Sequence, residues 1–238
     1  MAALAGGAMN SIAGGGSFLT FPALIFVGVG PIVANATNNG AMWIGTIGSV
    51  RGYREEIAAH RHLLAPLALV SAVGAFFGAM LLLATPPALV LRLIPWLMLF
   101  ATATFAVSPW LSRNAPAVAR HSAWQFALQF FIAIYGGYFG AGMGILMLAV
   151  LAFSGLPSLN AANGIKNFLG AVINGVALVP FLFAHVVDFR IGIPLALAAL
   201  AGGYFGARIA RRIPPAIGRV IVIAIGATIS AVFLRHYG

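Results

Sequence analysis

Apolar stretches of about twenty residues, the length a helix needs to cross the hydrocarbon core of a bilayer, recur from one end of this 238-residue chain to the other. A water-soluble fold is excluded by them. Soluble globular domains are about one quarter charged, whereas here 13 basic and 3 acidic residues make up 7% of the chain and hydrophobic residues 62%. The mean hydropathy is +1.04. The sequence therefore reads as an all-α polytopic membrane protein with room for about seven or eight spanning helices. A net charge of +10 set among apolar spans orients loops in the bilayer, and no helix carries a basic stripe, so no nucleic-acid partner is expected. Cysteine is absent, which removes disulfides, thiolate metal sites and cysteine catalysis. The opening MAALAGGAMN lacks the positive start and cleavage context of a signal peptide and reads as part of the first membrane segment.

Shifting the sequence by 128 positions brings its two halves into register. Gly14-Gly15-Gly16 then meets Gly142-Met143-Gly144, Ala34 to Asn39 meets Ala162 to Asn167, and Pro66-Leu67-Ala68-Leu69 meets Pro194-Leu195-Ala196-Leu197. Gly74 to Ala79 meets Gly202 to Ala207, and Pro86-Pro87 meets Pro214-Pro215. An ungapped register carried by Asn, Pro and Gly points to duplication. The expected organisation is a first repeat over 1–110, a cytoplasmic linker over 111–121 and a second repeat over 122–238, with about four membrane segments per repeat. Each half has a Gly-interrupted opening segment (Ala2 to Gly28; Trp124 to Gly155), an Asn-rich start to a second helix (Ala34 to Val50; Ala161 to Leu178) and two plainer spans.

Charge sets the orientation. The connections bearing Arg51, Arg54 and Arg61, then Arg113 and Arg120, then Arg208, Arg211, Arg212 and Arg219 should be cytoplasmic. The uncharged Thr85-Pro86-Pro87 hairpin should face out, and its mate at Pro214-Pro215 should face in. The halves are then inverted, which requires a Gly-broken opening segment to be re-entrant or split, a common build of secondary transporters.

Two polar constellations lie within the apolar segments. In the first, Asn10 and Ser11 precede Gly14, Gly15, Gly16 and Ser17; its counterpart is Gly142 with Gly144. Glycines at depth let the backbone unwind and present helix N-termini to a cavity, or they simply let helices approach closely. The second comprises Asn35, Thr37, Asn38 and Asn39 with Asn163, Lys166 and Asn167. Amides and hydroxyls offer donors to an oxyanion, and a Lys adds a countercharge. Asn38 and Lys166 share one repeat position, so the clusters should face each other near the midplane. The other readings are snorkelling for Lys166 and helix capping for Asn35 and Asn163. His60-Arg61-His62 has a metal-like spacing but reads as a solvated basic loop, and His185, Asp188 and Arg190 lie on the opposite connection. No metal and no cofactor are expected.

The strings Asn10 to Pro22, Ala34 to Asn38 and Gly136 to Gly144 resemble the sulfite exporter TauE/SafE family, also called the 4-toluene sulfonate uptake permease family, over essentially the whole chain. The resemblance implies a small secondary transporter of the inner membrane for organosulfur anions such as sulfonates, sulfoacetate or sulfite. Its partners would be that anion and the lipid bilayer, and a homodimer is compatible with it. The alternatives are an anion channel and a membrane scaffold. An enzyme is disfavoured because the only acids, Glu55, Glu56 and Asp188, fall in expected loops.

Overall fold

A computed structural model describes residues 1–13, 15–113, 123–152, 156, 158–210 and 215–237. Among them the chain forms eleven helices and no strand. In order these are α1 (Ala2–Ala13), α2 (Ser17–Phe26), α3 (Pro31–Gly52), α4 (Arg54–Ala59), α5 (Arg61–Ala84) and α6 (Pro87–Arg113), then α7 (Ala123–Tyr138), α8 (Met143–Ala152), α9 (Leu159–Phe183), α10 (Phe189–Ala210) and α11 (Pro215–Tyr237). Three segments of the described residues, Leu63–Ala84, Pro87–Thr104 and Asn160–Phe183, are long and apolar enough to cross a membrane.

Helix starts follow local chemistry. Pro31 sits in the first turn of α3 behind Gly30, where a missing N–H and a fixed φ do no harm. Ser158 caps α9, its Oγ accepting from the Ala161 N–H at 3.1 Å. The expectation that Asn35 and Asn163 are caps is therefore corrected, because both helices begin a full turn earlier and place these amides inside. The His60-Arg61-His62 stretch is likewise not a loop. His60 ends α4 with its Nδ1 2.8 Å from the Glu56 carbonyl, and Arg61 opens α5.

The packing pairs helices from opposite ends of the chain. α1 lies on α10, and α7 lies on α5, in both cases with almost no side chain between the backbones. A Cβ at Gly7 would overlap the carbonyl oxygen of Ala199, and one at Gly202 that of Leu4. At the other crossing Gly78 abuts the Ile134 carbonyl and Gly137 that of Ala75. Gly74 and Gly78 meet Phe130 and Ile134 in turn, so α5 and α7 run parallel. α3 and α9 pack on each other, α3 also against α10 and α9 also against α5.

α7 and α8 form a hairpin, because Val150 and Leu151 at the end of α8 lie beside Gln125 and Phe126 at the start of α7. Gly140 (φ 76°) and Gly142 (φ 77°) adopt the left-handed conformation that lets the chain reverse there. Tyr135 Oη donates to the Ala141 carbonyl at 2.6 Å and pins the turn. α1 and α2 lie against each other, with Gly16 beside the Gly6 carbonyl. The two turns meet: Phe18 lies against Gly142, and the Phe21 and Phe139 rings stack edge to face at 5.3 Å.

Candidate functional site

A cavity of about 40 Å³ lies where these two turns meet the crossing of α3 and α9. That is room for roughly three waters at about 10–15 Å³ each, hence for an anion of a few atoms. α3 contributes Asn38, Asn39, Met42 and Thr46, and α9 contributes Lys166, Asn167, Gly170 and Asn174. Both sets follow the spacing i, i+1, i+4, i+8, one face of an α-helix, and the two sets are related by the 128-residue offset. Asn10 of α1, Ser17 of α2, Phe139 and Gly140 of the second turn, and Met143, Gly144 and Met147 of α8 complete the lining.

Asn38 is fixed at both ends of its amide. Its Nδ2 donates to Ser17 Oγ at 3.1 Å, and its Oδ1 accepts from Thr20 Oγ1. The first turn of α2 is thereby tied to α3. Asn39 Nδ2 donates to Asn174 Oδ1 at 3.3 Å and so bridges α3 to α9, while Asn39 Oδ1 is buried with no hydrogen-bond partner. Lys166, the only lysine of the chain, is 4% exposed and has neither an ion pair nor a hydrogen bond among the described residues. No carboxylate lines the cavity. An ammonium withdrawn from water without a counterion is unfavourable by several kcal/mol even after relaxation. Such a site gains most from an anion.

The remaining residues of the two constellations are placed elsewhere. Asn35 Nδ2 donates to the Tyr138 carbonyl at 2.6 Å, holding α3 to the end of α7. Thr37 Oγ1 accepts from the Asp188 N–H at 2.9 Å. Asn163 is half-buried and Gly15, Gly16 and Gly142 are buried, but none lines the cavity. Gly14 and the Ser11 side chain lie outside the described residues, as do residues 114–121 of the expected 111–121 linker and residues 211–214 before Pro215. Asn174 and Thr46, which stand 128 residues apart, both escaped the sequence reading. Met42, Met143, Met147 and Phe139 carry no signal that separates a cavity wall from a core.

Asp188 has a local role. Its Oδ1 accepts from the Arg190 N–H at 2.8 Å and from the Ile191 N–H at 3.3 Å, capping α10. Asn caps as well as Asp, so Asp188→Asn should leave any proton-driven transport in proteoliposomes within about twofold of the parent protein. Loss of such transport with binding intact would make this carboxylate a proton carrier. Groups of three or more potential metal ligands do not occur among the described residues.

Residues 1–233 match the sequence profile of the family described as Sulfite exporter TauE/SafE. Among curated proteins, the chain is 30% identical to "Probable membrane transporter protein ORF9" of Sinorhizobium sp over 88% of this chain and 81% of that one. It is 27% identical to "Probable membrane transporter protein YfcA" of Escherichia coli strain K12, over 98% of this chain and 87% of its relative. A Haemophilus influenzae "Probable membrane transporter protein" is 25% identical, over 84% and 79%. No solved structure matches the chain.

Proposed function

We propose, from the premise that this chain belongs to the sulfite exporter TauE/SafE family of membrane transporters, that it is a secondary carrier of a small sulfur oxyanion, a sulfonate, sulfoacetate or sulfite. It moves that anion across the inner membrane as a multi-pass protein. The observation that carries this reading is Lys166, a buried cation with no counterion, in a cavity lined otherwise by amides, hydroxyls and apolar groups. Sulfite is of the size the cavity accommodates. A scaffold has no use for an unpaired charge at this depth, since it weakens packing without return, and no nucleophile and base are paired in the cavity for an enzyme.

The carrier works through two inverted halves meeting at the site. Three features support this. The cavity faces of α3 and α9 are counterparts under the repeat offset. The packing of α1 on α10 and of α3 on α10 has its counterpart in α7 on α5 and α9 on α5. Each Gly-containing turn joins two short helices, as in a re-entrant hairpin that reaches the midplane and returns. α3 and α9 then run in opposite directions, so the α4 segment faces the cytoplasm and its counterpart after α9 faces out. The chain has no cysteine, so single-cysteine labelling in whole cells reads this directly. A cysteine at Ala184 should react with an impermeant maleimide from outside and one at Glu55 only after permeabilisation. Labelling of both from one side would sink the inverted arrangement.

Saturable counterflow of labelled sulfite in proteoliposomes tests the carrier itself. A high unsaturable anion current would identify a channel instead.

A further inference from the structure

An alternating carrier takes its site through a closed intermediate twice per cycle, once loaded and once empty, unless a second ligand replaces the first before the site returns. Lys166 makes these two passages unequal. With a monovalent oxyanion beside it, the site crosses without net charge. Empty, it crosses as a lone ammonium on a residue 4% exposed, with no hydrogen-bond or ion-pair partner among the described residues, a state strongly disfavoured away from water. Resting on the carrier reading above, we propose that the protein is an obligatory anion exchanger, whose site returns only with a second anion on Lys166.

A carrier escapes this restriction when it brings its own counterion, a carboxylate that takes the lysine as the ligand leaves. This chain has three acidic side chains, and each is placed away from Lys166. Asp188 lies on the connection between α9 and α10, its Oδ1 accepting from the Arg190 and Ile191 N–H groups. Glu55 is exposed on α4. Glu56 comes nearer, since α4 packs on the start of α9 and a Cβ at Gly164 would lie 3.1 Å from that of Glu56. Gly164 precedes Lys166 by two residues, however, which is about 200° around an α-helix. Glu56 and Lys166 therefore occupy opposite sides of α9. The side of α9 that bears Lys166 presents Asn167, Gly170 and Asn174 to the cavity, and no other charged residue lines it. Amide and hydroxyl dipoles ease the charge of an ammonium without cancelling it. At about 40 Å³ the cavity is also too small to carry a full hydration shell across.

Proteoliposomes of the full-length protein, loaded with radiolabelled sulfite at pH 6.5, about four units below the ordinary lysine pKa, test the proposal. Potassium with valinomycin holds the membrane potential at zero, so that charge build-up does not halt net efflux, and protein-free liposomes give the leak. Efflux into unlabelled sulfite should be at least about tenfold faster than into gluconate, which is too bulky for the cavity. An inside-negative potential should speed the gluconate efflux several-fold, by drawing the charged empty site inward, and leave the exchange within about twofold. In Lys166→Gln the two effluxes should become equal. If that variant does not fold or carries no flux, the response of the parent protein to the external anion and to the potential decides alone. Equal efflux into sulfite and gluconate by the parent at zero potential overturns obligatory exchange and leaves the carrier reading standing; loss of the gluconate component in Glu56→Gln would then identify Glu56 as the counterion. A preference for external sulfite retained at full size in Lys166→Gln also overturns the proposal. Efflux no faster than the leak in either medium overturns the carrier reading and this inference together.

Discussion

Replacing Lys166 by Gln should raise the dissociation constant for sulfite about tenfold or more, on the scale of one charge-assisted hydrogen bond. Gln retains donors and much of the length, so the change isolates the charge. An oxyanion entering the cavity gives up much of its hydration, and the amides and hydroxyls around it return only dipoles. Lys166 returns a full charge in surroundings where water is scarce, so its attraction is little screened. Asn38→Ala should lower affinity less, because both ends of that amide are already engaged with Ser17 and Thr20. Its larger effect should fall on stability, through the lost tie between α2 and α3. Titration of sulfite against both variants decides the matter. Unchanged affinity in Lys166→Gln would mean that neutral donors alone hold the anion.

A larger structural effect is expected at the two bare helix crossings. Gly137→Val and Gly7→Val each place side-chain atoms where a carbonyl oxygen of the facing helix already sits, Ala75 in one case and Ala199 in the other. Backbone cannot rotate away as a side chain can. The helices must separate, which forfeits the dispersion contacts that hold membrane helices together. Overpacking of this kind destabilises by about 1–3 kcal/mol and sometimes more, enough for a loss of several degrees in apparent melting temperature or of the monodisperse species. Gly52→Ala is the control. Nothing lies within 4 Å of a Cβ at that position, and the exchange should be neutral or favourable by up to about 1 kcal/mol from helix propensity. Melting curves in one detergent for all three variants give the answer, and a Gly137→Val protein as stable as the parent would show that the crossing is looser than described.

What the sequence made legible follows from periodicity and charge. Long apolar runs separated by Pro and Arg gave helices, and Asn38 and Lys166, which stand 128 residues apart, both line the cavity. Helix starts were less legible, since Pro31 and Ser158 lie in apolar or small-residue surroundings that hide the boundary, and the Asn residues downstream look like caps. Asn35 and Thr37 differ from Asn38 in nothing a sequence shows. Only the rotation of α3 sends the first two to the Tyr138 carbonyl and the Asp188 N–H and the third to the cavity. Methionines that line the site are chemically the same as those that fill a core.

The exchange of helices between the two ends of the chain bears on how the protein is made. The partner of α1 at Gly7 is Ala199, which leaves the ribosome some 190 residues later, about ten to forty seconds at roughly 5–20 residues per second. During that interval the first hairpin is in the membrane with its small-residue face against lipid or an insertion factor. Its final seat does not yet exist. The second hairpin has no such delay, because α5 is complete before α7 is begun. Biogenesis is therefore asymmetric even though the finished packing is paired, and a ribosome stalled shortly before α10 would release a chain with one hairpin docked and the other available to quality-control proteases.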